Sequence, residues 1–154
     1  MKKNVLFVAV LLVFSMLICS CSKTKEYTGT VDSAAGEIVK TVTFSEELTE
    51  IEDETAKKIF GITDKVTDVC AYIGSGATAE EVSVWKLENA EDANAVIDTL
   101  SNRIDLLAKD YADYDAEEVP KLEKAVVKSY GSFVVCCVCA NGDAEKTIDD
   151  IMSK

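Results

Sequence analysis

The sequence predicts an α+β fold in which helices cover one face of a four-stranded, mainly antiparallel sheet. Two observations predict it. Residues 66–87 and 125–140 each form a pair of β-rich segments around a glycine-containing turn, and a helical segment follows each pair. Two such hairpin-plus-helix units pack most simply as one sheet with the helices on a single face. Residues 22–154 are enough for one domain of this kind and too few for two.

Two helices are predicted before the first hairpin. Apolar residues recur at helical spacing over Ser33–Val42, which predicts the first of them. A second, shorter helix is predicted from Asp53 to Phe60, with Asp53 as its N-cap and Gly61 at its end. The domain therefore begins with helices and only then enters the sheet.

The first hairpin-plus-helix unit has the clearest pattern in the chain. Val66–Ile73 is β-branched and aromatic, and Glu81–Leu87 is its predicted hairpin partner. Asn89 is predicted to cap the longest helix, in which apolar residues return every three or four positions. These positions are Ala93, Val96, Ile97, Leu100, Ile104, Leu107 and Tyr111.

The second unit repeats this arrangement after an acidic turn and Pro120. Ala125–Ser129 is predicted to be a strand, and Ser132–Ala140 is a second strand that is apolar on both faces and is therefore expected near the centre of the sheet. Asn141 is predicted to start a final short helix.

The composition excludes several classes of function. The 154-residue chain carries 16 basic and 28 acidic residues, a net charge of −12, and no histidine. Nucleic-acid binding needs clustered lysine and arginine, so this charge argues against it. The absence of histidine removes the common general acid–base systems, the serine and cysteine nucleophile systems that depend on imidazole, and the usual imidazole metal ligands.

The first 21 residues indicate an export signal and a lipid anchor. Lys2 and Lys3 precede the apolar run Val5–Ile18, which is typical of a secretory signal peptide. Ile18, Ser20 and Cys21 resemble the bacterial lipobox, in which an aliphatic and a small residue precede the lipidated cysteine. The apolar run is short for the alternative, a membrane-spanning helix, which needs about 20 apolar residues.

The predicted organisation follows from this signal. Residues 1–20 are expected to be a lipoprotein signal peptide, residues 21–31 the lipidated Cys21 and a tether, and residues 32–154 the domain. Two or more acyl chains such as palmitate on Cys21 would hold the protein stably on the outer, extracytoplasmic face of the cell membrane.

The other cysteines suggest core residues. Cys136, Cys137 and Cys139 lie on one predicted strand, where Cys137 and Cys139 share a face and Cys136 points to the other. Their spacing does not match a zinc knuckle. The alternatives are small apolar core residues, which we favour, and a disulfide from Cys70 to this strand.

Acidic and aromatic residues give weaker signals. An acidic run, comprising Asp110, Asp113, Asp115, Glu117 and Glu118, lacks the glycine and the final glutamate of an EF-hand loop. We interpret the run as a solvated helix end and turn. Trp85 lies in a strand and is expected in the core rather than at a binding surface. The sequence predicts no catalytic residue, no metal site and no cofactor.

Most of the chain after the signal resembles one known family. The resemblance is carried by Phe44–Leu48, Ala56–Ile62, Ala79–Lys86, Asp92–Val96, Tyr111–Tyr114 and Ala125–Val135. These segments are similar to a family of lipoproteins from clostridia-type Gram-positive bacteria that is known as domain of unknown function 4358. The resemblance implies an α+β extracytoplasmic lipoprotein, and it implies no activity and no site residues.

Two functions remain open from the sequence. The first is a non-catalytic, lipid-anchored domain that attaches to the membrane through Cys21 and binds an envelope protein or polymer. The alternative is a carboxylate-based enzyme or a receptor for a small ligand or cation, with Glu80 and Glu81 facing Asp113 and Asp115 across a pocket.

Overall fold

The α+β fold is confirmed by a computed structural model, which describes residues 27–140 and 144–154. The predicted signal peptide, Cys21 and the start of the predicted tether lie outside the described residues. In chain order the elements are α1 (Val31–Thr41), β1 (Thr49–Ile51), α2 (Asp53–Phe60), β2 (Val66–Ile73), β3 (Glu81–Leu87), a 3₁₀ turn (Ala90–Asp92), α3 (Ala93–Tyr114), α4 (Val119–Leu122), β4 (Val126–Tyr130), β5 (Phe133–Val138) and α5 (Ala144–Met152).

The sheet has five strands, so the prediction of four strands was wrong. The strand order is β1-β2-β3-β5-β4, and each neighbouring pair is antiparallel. The additional strand, β1, is three residues long and pairs with the end of β2, where Glu50 lies opposite Tyr72. A three-residue segment is too short to show an alternating pattern, and its extended conformation depends on β2.

Helices cover both faces of the sheet, whereas the sequence predicted one covered face. On one face α1 and α5 pack over residues such as Val84 and Val135. On the other face α2, α3 and α4 pack over Trp85 and Val134. The two central strands, β3 and β5, are consequently buried on both sides, as the apolar sequence of β5 predicted.

The first described residues already belong to the packed domain. Tyr27 is buried and its ring packs edge-on against Phe133, with the ring centroids 5.4 Å apart. Helix α1 then begins at Val31 with a capping box, in which Thr30 and Ser33 bond each other's backbone N–H groups. The core therefore includes residues that the sequence assigned to the tether at residues 21–31.

Helix ends agree with the predictions in part. Helix α2 spans Asp53–Phe60 as predicted, and Gly61 ends it in the left-handed conformation with φ of 72°. Its N-cap is Glu52 rather than Asp53, and no side-chain cap bond is formed. Asn89 does not cap α3 directly, because a 3₁₀ turn intervenes.

The predicted start of α5 at Asn141 lies outside the described residues, and the described helix begins at Ala144. None of the helices within residues 27–140 and 144–154 has the length and apolar character needed to cross a bilayer.

Candidate functional site

Buried charges join the start of β3 to α4. The Glu80 carboxylate is fully buried and accepts hydrogen bonds from the Ser45 backbone N–H at 2.7 Å and the Ser45 hydroxyl at 2.9 Å. Lys121 Nζ lies 3.1 Å from Glu80 Oε1 and 2.8 Å from Glu118 Oε1. Glu118 in turn accepts a hydrogen bond from the backbone N–H of Ala79 at 2.9 Å. We call Glu80, Glu118 and Lys121 the Glu80 cluster.

A second buried pair lies beside this cluster. Arg103 of α3 reaches Glu81 with 2.5 Å between Nη1 and Oε1, and its guanidinium stacks 4.3 Å from the centre of the Phe60 ring. Burial raises the pKa of Glu81 above its usual range, and the Arg103 charge opposes that rise. Cys136 faces the same carboxylate, and burial raises the pKa of its thiol well above the ordinary value.

These carboxylates are held by cations and backbone donors rather than left reactive. Burial alone would lower the pKa of Lys121, but its bonds to Glu118 and Glu80 outweigh that effect and its pKa is raised. Among the described residues, no buried side-chain nitrogen or oxygen lacks a hydrogen-bond partner. The arrangement suits a structural role, because a general acid or base must be accessible to a substrate.

The carboxylate pocket expected from the sequence forms only in part, because Glu80 and Glu81 line a small cavity of about 140 Å³ and neither Asp113 nor Asp115 is among its lining residues. Glu80 and Glu81 bind Lys121 and Arg103, while Asp113 is exposed on the outside of α3. Asp115 accepts a hydrogen bond from the backbone N–H of Glu117 at 3.1 Å instead of facing Glu80 or Glu81. Glu118, which the sequence placed in a solvated turn, is buried because Lys121 and the Ala79 N–H compensate its charge.

An open groove of about 600 Å³ lies between α1, the segment 42–48 and the end of β2. Its walls combine apolar and aromatic side chains with acidic ones. Its lining includes Asp32, Gly36, Lys40, Phe44, Glu47 and Tyr72. We call this concavity the α1 groove. Its volume is in the range of small-molecule sites, which are about 300–1,000 Å³.

Three potential ligand atoms lie close together beside the α1 groove, which Asp32 lines and which Glu50 and Cys70 do not. An oxygen of Asp32, an oxygen of Glu50 and the sulfur of Cys70 lie within 4.8 Å of one another. The Tyr72 hydroxyl donates to Glu50 Oε2 at 2.9 Å. Burial, with the nearby charges of Glu50 and Asp32, raises the pKa of Cys70 to about 12, so the thiol is protonated at neutral pH and is a poor metal ligand.

The thiol positions confirm the predicted alternation and contradict the disulfide alternative. Cys137 and Cys139 face α1 and α5, and Cys136 faces the opposite helices. Strand β3 lies between the strand of Cys70 and that of Cys137. Two strand spacings separate them by about 10 Å, whereas disulfide-linked Cα atoms lie at most about 6.8 Å apart. None of these four buried cysteines forms a disulfide with another described residue.

The sequence also placed Trp85 correctly. Its side chain is fully buried, packs edge-on against Phe60 with 5.6 Å between ring centroids, and donates from Nε1 to the Ser83 hydroxyl at 2.8 Å. The indole therefore stabilises the core and is not a recognition surface.

Comparison with protein-family models matches residues 40–139 to Domain of unknown function (DUF4358). The chain belongs to the DUF4358 family. The match confirms the resemblance to domain of unknown function 4358 and does not test the lipoprotein character or the bacterial group. Comparisons with curated proteins and with solved structures found no match.

The DUF4358 match includes some of the sites described above and omits others. It covers the five strands, the Glu80 cluster and the Glu81–Arg103 pair. It begins at residue 40, so Asp32 and Gly36, which line the α1 groove, precede it. Cys21, the lipidation site that the sequence predicts, lies outside the described residues.

Proposed function

We propose that this DUF4358 protein is a lipid-anchored extracytoplasmic protein whose folded domain binds a ligand or partner without catalysing a reaction. Its anchor is a diacylglycerol-modified Cys21 on the outer face of the cell membrane. The partner is an envelope component, and the net charge of −12 argues against nucleic acid.

The anchor is supported by the pattern at the start of the chain. A basic end, the apolar run Val5–Ile18 and a small residue before Cys21 together fit a lipoprotein signal. Five residues, Ser22–Glu26, separate Cys21 from the buried Tyr27. A fully extended segment of this length spans about 20 Å, so the domain would lie close to the bilayer surface.

The binding role depends mainly on one contrast between the buried charges and the groove. The carboxylates nearest to a catalytic arrangement, Glu80 and Glu81, are neutralised by Lys121 and Arg103 inside the fold. The α1 groove, by comparison, is open and leaves its acidic and aromatic groups accessible. An accessible concave surface without an activated acid, base or nucleophile supports binding better than catalysis.

Metabolic labelling tests the anchor with a matched pair of variants. Cells that express the full chain are grown with an alkyne analogue of palmitate, and lipidation is read after membrane fractionation. Cys21→Ala should abolish the label and release the protein from the membrane, while Cys19→Ala should keep both. Loss of label in Cys19→Ala alone, or normal labelling of Cys21→Ala, would show that the assigned cysteine is wrong.

A further inference from the structure

Gly36 in the α1 groove has no structural explanation. It lies in the interior of α1, where glycine is a destabilising residue compared with alanine. A Cβ atom built on Gly36 would meet no atom within 4 Å, so packing does not require the missing side chain. Its backbone is helical, so no turn requires glycine either. What the glycine does is widen the groove and expose the helix backbone to whatever lies in it.

The charges in the α1 groove favour a positively charged occupant. Asp32, Glu46 and Glu47 line it, against the single cation Lys40. Glu46 is half-buried and accepts a hydrogen bond from Thr78 at 2.5 Å, whereas Asp32 and Glu47 are exposed.

One carboxylate pair in particular lacks a compensating cation. Oxygens of Asp32 and Glu50 lie within 4.8 Å of each other. No lysine or arginine of the described residues forms an ion pair with either of them. Two like charges at this separation repel, and a cation between them would relieve the repulsion.

The remaining walls of the groove are apolar. Val39, Val42 and Leu48 line it together with the rings of Phe44 and Tyr72. Such walls suit the hydrocarbon part of a ligand, and an aromatic face also attracts an ammonium group. An inorganic cation would use none of this apolar surface, and the protonated Cys70 would offer it little.

We propose that the α1 groove binds an organic amine, that is, a small molecule with an ammonium group and an apolar hydrocarbon part. The ammonium group lies between Asp32 and Glu50, and the apolar body extends past Gly36 between Phe44 and Tyr72. This inference rests on the proposed function, because it names the ligand class of the same binding domain.

The test compares a charged probe with its neutral analogue on the full-length protein in a non-ionic detergent. The probes are 4-phenylbutylamine and 4-phenylbutanol, which differ mainly in the ammonium group. Calorimetry should give a Kd for the amine at least tenfold lower than for the alcohol. Equal affinities, or no binding of the amine, would overturn the proposal.

Variants then place the ligand in the groove. Gly36→Leu fills the open space and should abolish amine binding, while Gly36→Ala should raise the urea midpoint of unfolding. Asp32→Asn should raise the Kd for the amine at least tenfold. Asp113→Asn, which removes an exposed acid outside the groove lining, is the control and should leave the Kd unchanged. Fluorescence of the buried Trp85 verifies that each variant is folded. A folded Gly36→Leu protein that binds the amine normally would refute the location.

Other occupants give different results. If the groove binds Ca²⁺ or a second copy of the chain, the amine should not bind. If the occupant is a second copy, light scattering should also show that Gly36→Leu changes the oligomeric state. Either result overturns the amine proposal. Lipidation of Cys21 is measured separately, so a protein that is lipidated but does not bind the amine contradicts this inference and leaves the anchor intact.

Discussion

Replacing Lys121 by methionine tests whether the Glu80 cluster holds the domain together. The change removes the cation shared by two carboxylates while keeping a side chain of similar length. The Glu80 side chain is 0% exposed, that of Glu118 is 9% exposed, and that of Lys121 is 16% exposed, so solvent screens the cluster weakly. Removing one partner from a buried ion pair costs about 3–5 kcal/mol.

This loss is large compared with the total stability of a domain. Folded domains are stable by about 5–15 kcal/mol, so Lys121→Met should remove roughly a fifth or more of the free energy of unfolding. With a urea dependence of about 1–3 kcal/mol per molar, the midpoint should fall by roughly 2 M. The assay is urea unfolding of residues 22–154, followed by the fluorescence of Trp85, which is the single tryptophan and is fully buried.

A matched lysine substitution outside the Glu80 cluster separates the loss of the buried ion pairs from a general effect of removing a lysine. Lys124→Met, on an exposed side chain just after α4, is the control and should change stability by less than about 0.5 kcal/mol. A Lys121→Met effect as small as the control would refute the structural role of the cluster.

Two further predictions concern the core. Leu100→Ala should destabilise the domain by about 2–5 kcal/mol, because Leu100 is fully buried. Leu106→Ala on the same helix is the control and should have little effect, because Leu106 is 60% exposed. Equal urea midpoints for the two variants would mean that the apolar face of α3 is not part of the core. Iodoacetamide at pH 9 should leave Cys70 unmodified in the folded protein and label it after unfolding, because its pKa is raised to about 12 by burial and by Glu50 and Asp32; peptide mass spectrometry that finds Cys70 labelled in the native state would contradict its placement.

The parts of the fold that could be predicted are those encoded by local pattern. Strands β2 and β3 begin and end where their β-branched residues and turn predicted, and α2 ends at Gly61 as expected. Strand β1 could not be found, because its three residues become a strand only by pairing with β2.

The sequence did not predict that helices cover the second face of the sheet, because polar residues lie on that face of β3. Glu81 and Ser83 share a face of β3 with Trp85, and a glutamate and a serine there suggest solvent. Both are buried, because Arg103 compensates Glu81 and the Trp85 indole bonds Ser83. These partners are specified by the tertiary structure and not by the local sequence.

The candidate site was predictable only in fragments. Glu80 and Glu81 were named as candidate site carboxylates, but Lys121 and Arg103, which bind them, lie 41 and 22 residues away in sequence. No motif marks the α1 groove, since it is assembled from a helix, a loop and a strand end. One signal was available, namely Gly36 in the interior of an otherwise regular helical pattern.

The most direct test of the account is the intact mass of the protein extracted from membranes of its own cells. We expect a chain that runs from Cys21 to Lys154 and carries the additional mass of a diacylglycerol group on Cys21. A chain that still begins at Met1, or one that begins at Cys21 without any lipid, would contradict the proposed anchor.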